Sequence, residues 1–313
     1  MNKQPRIFQA KPAQREQVPL LIGLVGPSGS GKTFSALRLA TGIQQVVGGD
    51  IIVIDTEAKR SLHYADQFKF RHLEFGAPFG SLDYLDALQY CASERAGVVV
   101  VDSMSHEHEG PGGLLEQHEA EIERISKGDH GKRDGANMLA WARPKAARRQ
   151  LINTMLQMTI PAMIFCFRAK EKVKLVKNEK GKQEPQNQGW MPIAGEEFIY
   201  EMTLNALLLP TSNGKPTWNP DERGERQMVK MPRQFDTMTG QLDEAMGRRM
   251  AEWARGNVTD AADTLRAAAA DGMIALGQAF AALSKPDKAR LLDLKNELKA
   301  QLEGAPQPQA DAA

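Results

Sequence analysis

The sequence predicts an α/β fold in which a mainly parallel sheet is flanked by helices. Four short, nearly continuous apolar runs rich in Val and Ile are typical of buried strands; they cover residues 20–25, 51–54, 98–101 and 160–167. Segments with helical periodicity separate these runs, over about 32–46, 82–95 and 144–158. Because helical crossovers connect parallel strands, this alternation predicts a parallel sheet with helices on its faces.

Four segments are expected along the chain. Residues 1–18 are polar and without a clear period, which predicts a tail or an edge element. Residues 19–255 carry the alternating pattern and predict one large domain that ends in an amphipathic helix. Residues 256–304 predict a small α-helical hairpin whose second helix begins at Ser284, and residues 305–313 predict a disordered tail.

Composition limits the functional classes. The formal charge of the 313-residue chain is +1, so any surface that binds nucleic acid must be local. No run of about 18 apolar residues is present, and the N-terminus lacks a signal-peptide core, which predicts a cytoplasmic protein that does not enter a membrane. Cys91 and Cys166 lie in apolar segments and are predicted to be reduced core residues.

A glycine-rich stretch, LVGPSGSGKT, follows the first predicted strand and precedes a predicted helix. It matches the phosphate-loop pattern of Gly, four residues, Gly, Lys and Ser or Thr. In such a loop, backbone amides and the helix N-terminus face the phosphates, the lysine reaches the β and γ phosphates, and the hydroxyl ligates Mg²⁺. The residues predicted to hold the nucleotide are Gly26, Pro27, Ser28, Gly29, Ser30, Gly31, Lys32, Thr33 and Phe34.

Acidic residues at the ends of two other predicted strands would complete this site. Asp102 follows a run of four valines, and ligands of open α/β sheets bind at the carboxyl ends of the strands. Asp102 is therefore predicted to hold Mg²⁺ together with Thr33; the alternative is an Asp that only caps a turn. Glu57 is predicted to orient water against the γ phosphate, and Asp55 to support either Glu57 or the metal, unless both residues simply begin a loop. The predicted catalytic residues are thus Lys32, Glu57 and Asp102.

The order of these motifs resembles the core of RecA-like recombinases and related phage-encoded ATPases, over roughly residues 19–210. The features that carry the resemblance are "IDTE", which ends in Glu57, "VVVVDSMS", in which Ser103 follows the acid, and "IPAMIFCFR". The resemblance implies a RecA-like P-loop NTPase fold, Mg²⁺-dependent ATP hydrolysis and a homo-oligomer. It also implies a role in phage DNA recombination or single-strand annealing. Only the resemblance selects ATP, because the residues themselves do not distinguish adenine from guanine.

A basic segment follows the last predicted strand, in a region where the resembling family contacts DNA. Residues 168–182 contain seven Lys and Arg against two Glu, and their alternation and turn signal predict a β-hairpin. Lys172, Lys174 and Lys177 are predicted to contact single-stranded DNA, with Trp190 stacking on a base. An equally open alternative is a solubilising hairpin whose lysines protect a sheet edge.

Two further cations stand close to the predicted nucleotide edge. Arg168 and Lys170 come just after the predicted strand at 160–167. A cation at this position can sense the γ phosphate of its own subunit or reach the ATP of a neighbouring subunit. The sequence leaves both arrangements open.

Other segments favour a second hypothesis, in which the protein is an ATP-gated scaffold or loader that acts on a protein partner without contacting DNA. Residues 106–137 carry eight acids against four Lys and Arg, which predicts a solvated or partner-facing insertion rather than a DNA surface. The spacing of the four residues at 106–109, His106, Glu107, His108 and Glu109, fits no standard zinc frame. The C-terminal hairpin either packs on the ATPase core or recruits a phage or host recombination or replication protein.

Overall fold

The computed structural model describes residues 10, 18–177, 182–217, 230, 232, 235, 240–255, 261–283, 288 and 291–304. The chain divides into two compact units, a large one over Gln17–Ala254 and a small one whose described helices lie within Arg255–Ala313. The large unit is an α/β structure with a mainly parallel sheet flanked by helices, which confirms the predicted fold class at this level. In the part of the chain that is described, no helix is both long enough and apolar enough to span a membrane.

The described residues form a seven-stranded sheet with the order β3-β2-β4-β5-β1-β7, in which neighbouring strands are parallel and β6 pairs with β5 off this path. The strands are β1 (Leu20–Gly26), β2 (Ile51–Asp55), β3 (Arg71–Glu74), β4 (Val98–Asp102), β5 (Ala162–Lys177), β6 (Gln183–Pro192) and β7 (Leu204–Leu207). The four predicted strands correspond to β1, β2, β4 and the first part of β5. Strand β3 was not predicted, because it lies at the edge and its sequence, RHLE, lacks an apolar run.

Helices cover both faces of the sheet. Those of the large unit are α1 (Lys32–Val47), α2 (Ser81–Ser93), α3 (Ser105–Glu109), α4 (Leu114–Ser126), α5 (Arg133–Ala140), α6 (Ala142–Met155), α7 (Glu196–Glu201) and α8 (Glu244–Ala254). Along β1, Leu20, Ile22 and Leu24 join the core layer that contains α1 and α8. Leu21 and Val25 join the opposite layer, which contains α2 and α6. Burial on both faces explains why the strand sequences are almost continuously apolar.

Strand β5 is longer than the predicted run and connects the sheet to a hairpin. Its last parallel pair joins Arg168 to Gly26. From Ala169 onward it pairs antiparallel with β6, as far as Lys177. The structure therefore contains the expected β-hairpin, whose turn at residues 178–181 lies outside the described residues.

The acidic segment 106–137 is helical and partly buried, so the expectation of a solvated insertion is wrong for part of it. Glu107 and Arg148 are only 2% and 5% exposed. Arg148 Nη2 and Nε donate to the two oxygens of Glu107 at 2.6 and 3.1 Å, and the Ser81 hydroxyl donates to Glu107 at 2.5 Å. Charged residues are rarely buried unless they are paired. This pair joins positions 41 residues apart, and no local sequence pattern reveals it.

The small unit has three described helices where the sequence predicted two: α9 (Ala261–Ala270), α10 (Met273–Ala282) and α11 (Leu292–Gly304). Gly272, with φ 103°, interrupts the predicted first helix, because this backbone conformation cannot continue a helix. Leu265, Leu276 and Leu291 form a separate apolar core. The predicted helix start at Ser284 and the predicted tail at 305–313 lie outside the described residues.

Candidate functional site

The glycine-rich loop between β1 and α1 folds around a lysine. Gly29 and Gly31 have φ angles of 76° and 82°, which an L side chain rarely adopts. These turns let α1 begin at Lys32 directly after the loop. Lys32 Nζ donates to the carbonyl oxygens of Gly26 and Pro27, at 2.8 Å in each case. Burial lowers the pKa of Lys32, so a bound anion would stabilise its charged form.

A second feature joins the start of α1 to the end of β4. Thr33 Oγ1 donates to Asp102 Oδ2 at 2.5 Å. Burial raises the pKa of Asp102 to about 6, although the hydrogen bond from Thr33 lowers it. A buried carboxylate beside a hydroxyl offers the oxygen ligands that Mg²⁺ prefers, and a cation there would favour the ionised acid. Thr33 and Asp102 therefore fit a Mg²⁺ ion.

Asp55 holds the turn that carries Glu57. The carboxylate of Asp55, which is 2% exposed, accepts the Glu57 amide at 2.8 Å on Oδ1. Its Oδ2 accepts the amide and the hydroxyl of Ser61 at 2.9 and 2.5 Å. Asp55 thus acts on Glu57 through the backbone. Burial alone would raise the pKa of Asp55, but these hydrogen bonds outweigh burial and place it below the ordinary value.

Replacement of Asp55 by Asn should destabilise the fold by about 1–3 kcal/mol at pH 7, because Ser61 and Glu57 lose a charged acceptor. The folded-state pKa is lowered, so the stabilisation is present above the unfolded pKa of about 3.9 and is lost as the pH falls through the folded value. Urea unfolding of both proteins at pH 7, 5 and 3.5 checks this. The Ser61→Ala control should lose less free energy of unfolding than the Asp55→Asn variant. A stability difference between the wild type and Asp55→Asn that grows on acidification contradicts the prediction.

Glu57 and Arg168 form a two-pronged ion pair at the edge of the sheet. Arg168 Nε and Nη2 donate to the two carboxylate oxygens of Glu57 at 2.9 and 2.7 Å. The side chain of Glu57 is 11% exposed and that of Arg168 is 40% exposed. The predicted base and the predicted phosphate sensor therefore contact each other directly.

These groups surround one cavity of about 680 Å³. Its lining includes eight predicted site residues, namely Ser28, Gly29, Gly31, Lys32, Thr33, Glu57, Asp102 and Arg168. Residues that the sequence did not indicate also line it; they are Arg60, His63, Tyr64, Glu109, Ala169 and Ile193. A smaller cavity of about 210 Å³ shares Gly29 and Gly31 with the first and is also lined by Phe34. The loop thus lies between two adjoining cavities.

Two residues near Glu57, Thr56 and His106, were not predicted from the sequence. Thr56 Oγ1 accepts the Ser103 amide at 2.7 Å and lies 2.7 Å from His106 Nδ1. His106 Nε2 is 4.0 Å from Glu57 Oε1. The only sequence signal was positional: Thr56 stands between Asp55 and Glu57, and His106 follows Asp102 by four positions.

Lys170 and Trp190, which were also predicted as site residues, are absent from the lining of the large cavity. Lys170 is exposed on β5, outside that lining. Trp190 is half-buried and packs against the core layer that contains α2 and α6. The side chains of Lys172, Lys174 and Lys177 lie outside the described part of the chain, so the predicted DNA contacts stay a prediction.

Comparisons with known proteins add no family assignment: no family model matches the chain, and a search of curated proteins finds no significant match.

Proposed function

We propose that this protein is a Mg²⁺-dependent ATPase with a RecA-like P-loop core. The observation that supports this most is the convergence of Lys32, Glu57 and the Thr33–Asp102 pair on one cavity. The cavity lies where β1 and β4 end, and β5 lies between these two strands. An open α/β sheet binds its ligands at this edge.

Each residue has a role that follows from its chemistry. Lys32 and the loop amides stabilise negative charge that develops on the phosphates. Thr33 and Asp102 would hold Mg²⁺, which when bound supplies charge neutralisation on the phosphate oxygens. Glu57 orients the attacking water and accepts its proton. The negative charge of the triphosphate attracts Arg168 away from Glu57. Arg168 is the partner that turns, because its side chain is the more exposed of the two.

The smaller cavity is the proposed position of the nucleoside. It adjoins the phosphate loop through Gly29 and Gly31, and Phe34, which is 37% exposed, is among its lining residues. A nucleotide whose phosphates occupy the large cavity can therefore extend its base and ribose along the start of α1. Competition of ATP hydrolysis by GTP, CTP and UTP measures how far this cavity selects the base.

Phosphate release from ATP with and without Mg²⁺ tests the proposed activity. We expect turnover that requires Mg²⁺ and that falls by about 10²- to 10³-fold in the Lys32→Ala variant. Absence of nucleotide binding by the wild-type protein, measured by calorimetry, would refute the proposal. Binding without turnover would restrict it to nucleotide binding.

We further propose that the ATPase acts on single-stranded DNA in phage recombination or strand annealing, through the β5–β6 hairpin. Support comes from the path of β5, which carries Arg168 in the cavity and then continues into the lysine-rich hairpin. A ligand that binds the hairpin is thus connected to the site by one continuous strand. We therefore expect DNA binding and ATP hydrolysis to be coupled.

The DNA proposal predicts salt-sensitive stimulation of hydrolysis by single-stranded DNA. Combined Ala substitutions at Lys172, Lys174 and Lys177 should weaken binding and reduce the salt slope by about 1 for each phosphate that is no longer neutralised. A matched control replaces three exposed lysines elsewhere, Lys132, Lys145 and Lys215. Equally weakened binding in both triple variants would contradict a specific role for the hairpin.

A second candidate function is an ATP-gated scaffold or loader, and exposed apolar side chains on α5 favour it. Met138 is 85% exposed and Leu139 is 67% exposed. Paired apolar side chains of this size are typical of contact with another protein or another copy of the chain. This candidate predicts that DNA does not change the rate of ATP hydrolysis. It also predicts that the protein associates with a partner or with another copy of itself in an ATP-dependent way. Light scattering of the wild type and a Met138→Ser/Leu139→Ser variant, with and without ATP, distinguishes the two candidates.

A further inference from the structure

We infer that His106 is a positioning residue for Glu57: its Nε2–H group holds the Glu57 carboxylate once Arg168 has turned toward the triphosphate. This role rests on the proposed ATPase function and adds a residue to it. Three features of the structure support it, which are the fixed ring of His106, its tautomer and the exchange of partners at Glu57.

The ring of His106 is held on two sides. Its face stacks on Phe79, with ring centroids 4.9 Å apart and an interplanar angle of 27°. Its Nδ1 lies 2.7 Å from Thr56 Oγ1. The side chain is only 14% exposed. These contacts leave Nε2 directed toward Glu57 Oε1, at 4.0 Å.

The hydrogen bonds of Thr56 select the tautomer. The Ser103 amide donates to Thr56 Oγ1 at 2.7 Å, so the single hydroxyl proton remains free to bond an acceptor. Two acceptors are in reach, His106 Nδ1 at 2.7 Å and the Ser103 carbonyl at 3.1 Å. The Ser103 carbonyl already accepts the Tyr84 hydroxyl at 2.7 Å, so we assign the Thr56 proton to the bond with Nδ1. The imidazole then carries its own proton on Nε2, which faces the Glu57 carboxylate.

The surroundings of His106 keep it uncharged. Burial lowers its pKa, and the positive charge of Arg168 lowers it further, while Glu57 and Glu109 act in the opposite direction. Burial is the largest of these effects, and it remains after Arg168 has turned to the triphosphate. A neutral ring donates a hydrogen bond to Glu57 without neutralising the carboxylate. His106 therefore orients the carboxylate and leaves its charge uncompensated by a full positive charge.

A bound triphosphate creates the need for this donor. When Arg168 turns to the phosphates, Glu57 keeps a carboxylate that is only 11% exposed and that no longer receives its two closest hydrogen bonds. Among the described residues, the next cation is Arg60, at 3.7 Å, and its side chain is 69% exposed and weakly restrained. His106 is the better fixed group. A shift of about 1 Å closes its distance to that of a hydrogen bond.

Three variants separate hydrogen bonding from packing. His106→Phe keeps the stack on Phe79 but removes the N–H, and we expect it to lower kcat by about 10- to 100-fold without changing the Kd for ATP. His106→Ala should be impaired at least as much. His106→Gln places an amide N–H at the same reach and should recover most of kcat. A Phe variant with wild-type kcat, or a Gln variant as impaired as the Ala variant, would overturn the inference.

A second measurement does not depend on turnover. The ¹⁵N resonances of the His106 ring, identified by their loss in the Gln variant, should show Nε2–H and an unprotonated Nδ1 in the complex with Mg²⁺ and a non-hydrolysable ATP analogue. The Glu57→Gln substitution should shift the Nε2–H signal. The opposite tautomer, or an unshifted signal, overturns the inference even if the wild-type protein hydrolyses ATP. Failure of the analogue to bind refutes the proposed function itself, and the tautomer of the free protein then decides the hydrogen-bond assignment alone.

Discussion

Replacement of Glu57 by Gln is expected to lower kcat for ATP hydrolysis by about 10²- to 10⁴-fold, because an amide cannot accept the proton of the attacking water. The substitution preserves the shape of the side chain, and the amide oxygen still accepts a hydrogen bond from Arg168. The Kd for ATP should therefore change little. Single-turnover hydrolysis and a fluorescence titration of nucleotide binding measure the two quantities separately.

The control for this prediction is Glu74→Gln on the neighbouring strand β3. Glu74 is an exposed partner of Lys59 and is absent from the cavity lining. Its replacement removes the same charge from the same region, so a general electrostatic effect would appear in both variants. A Glu57→Gln protein that hydrolyses ATP at the wild-type rate would exclude Glu57 as the base.

Replacement of Lys32 by Ala should lower kcat by about 10²- to 10³-fold and also weaken nucleotide binding. In the proposed mechanism Lys32, unlike Glu57, contacts phosphates in the ground state as well as in the transition state, so both quantities should change. The folded structure should persist, because the loop carbonyls of Gly26 and Pro27 regain water when the amine is removed. Calorimetric titration with ATP, together with a thermal unfolding curve, checks both statements.

Lys132→Ala provides the comparison for Lys32. Lys132 is exposed and pairs with Asp129 on the surface, at a position outside the cavity lining. The Lys132→Ala variant should bind and hydrolyse ATP as the wild type does. If Lys32→Ala retains both affinity and turnover, the glycine-rich loop is not a phosphate site and the proposed function fails.

Much of the fold was predictable because its signals are local. A strand that is buried on both faces must be apolar along its whole length, and β1, β2, β4 and the first part of β5 show this directly. The edge strand β3 carries no such signal, because its residues are partly exposed. The helices of segment 106–137 were not predicted either, but for a different reason. Their burial depends on contacts between separate parts of the chain. Glu107 on α3 pairs with Arg148, and α4 packs on α5 through an apolar cluster that includes Ile122.

The candidate site also combines features that local sequence predicts with contacts that it does not. The roles proposed for Lys32 and Thr33 were predicted from the sequence, because the phosphate-loop pattern is a local one that places glycines, a lysine and a hydroxyl close together in the chain. The approach of Arg168 to Glu57, across 111 positions, is not evident there. It depends on the order and register of β2, β4 and β5 in the sheet.

Local sequence was enough to predict which apolar segments become strands, where the glycine-rich loop turns and which acids stand at strand ends. It did not reveal that Asp55 binds the backbone of Glu57, that Arg168 occupies the Glu57 carboxylate or that His106 lies beside both; the folded chain supplies these contacts. The difference arises because local conformation follows from neighbouring residues. Contacts between side chains at the sheet edge follow from strand order, and buried strands of similar composition do not specify that order individually.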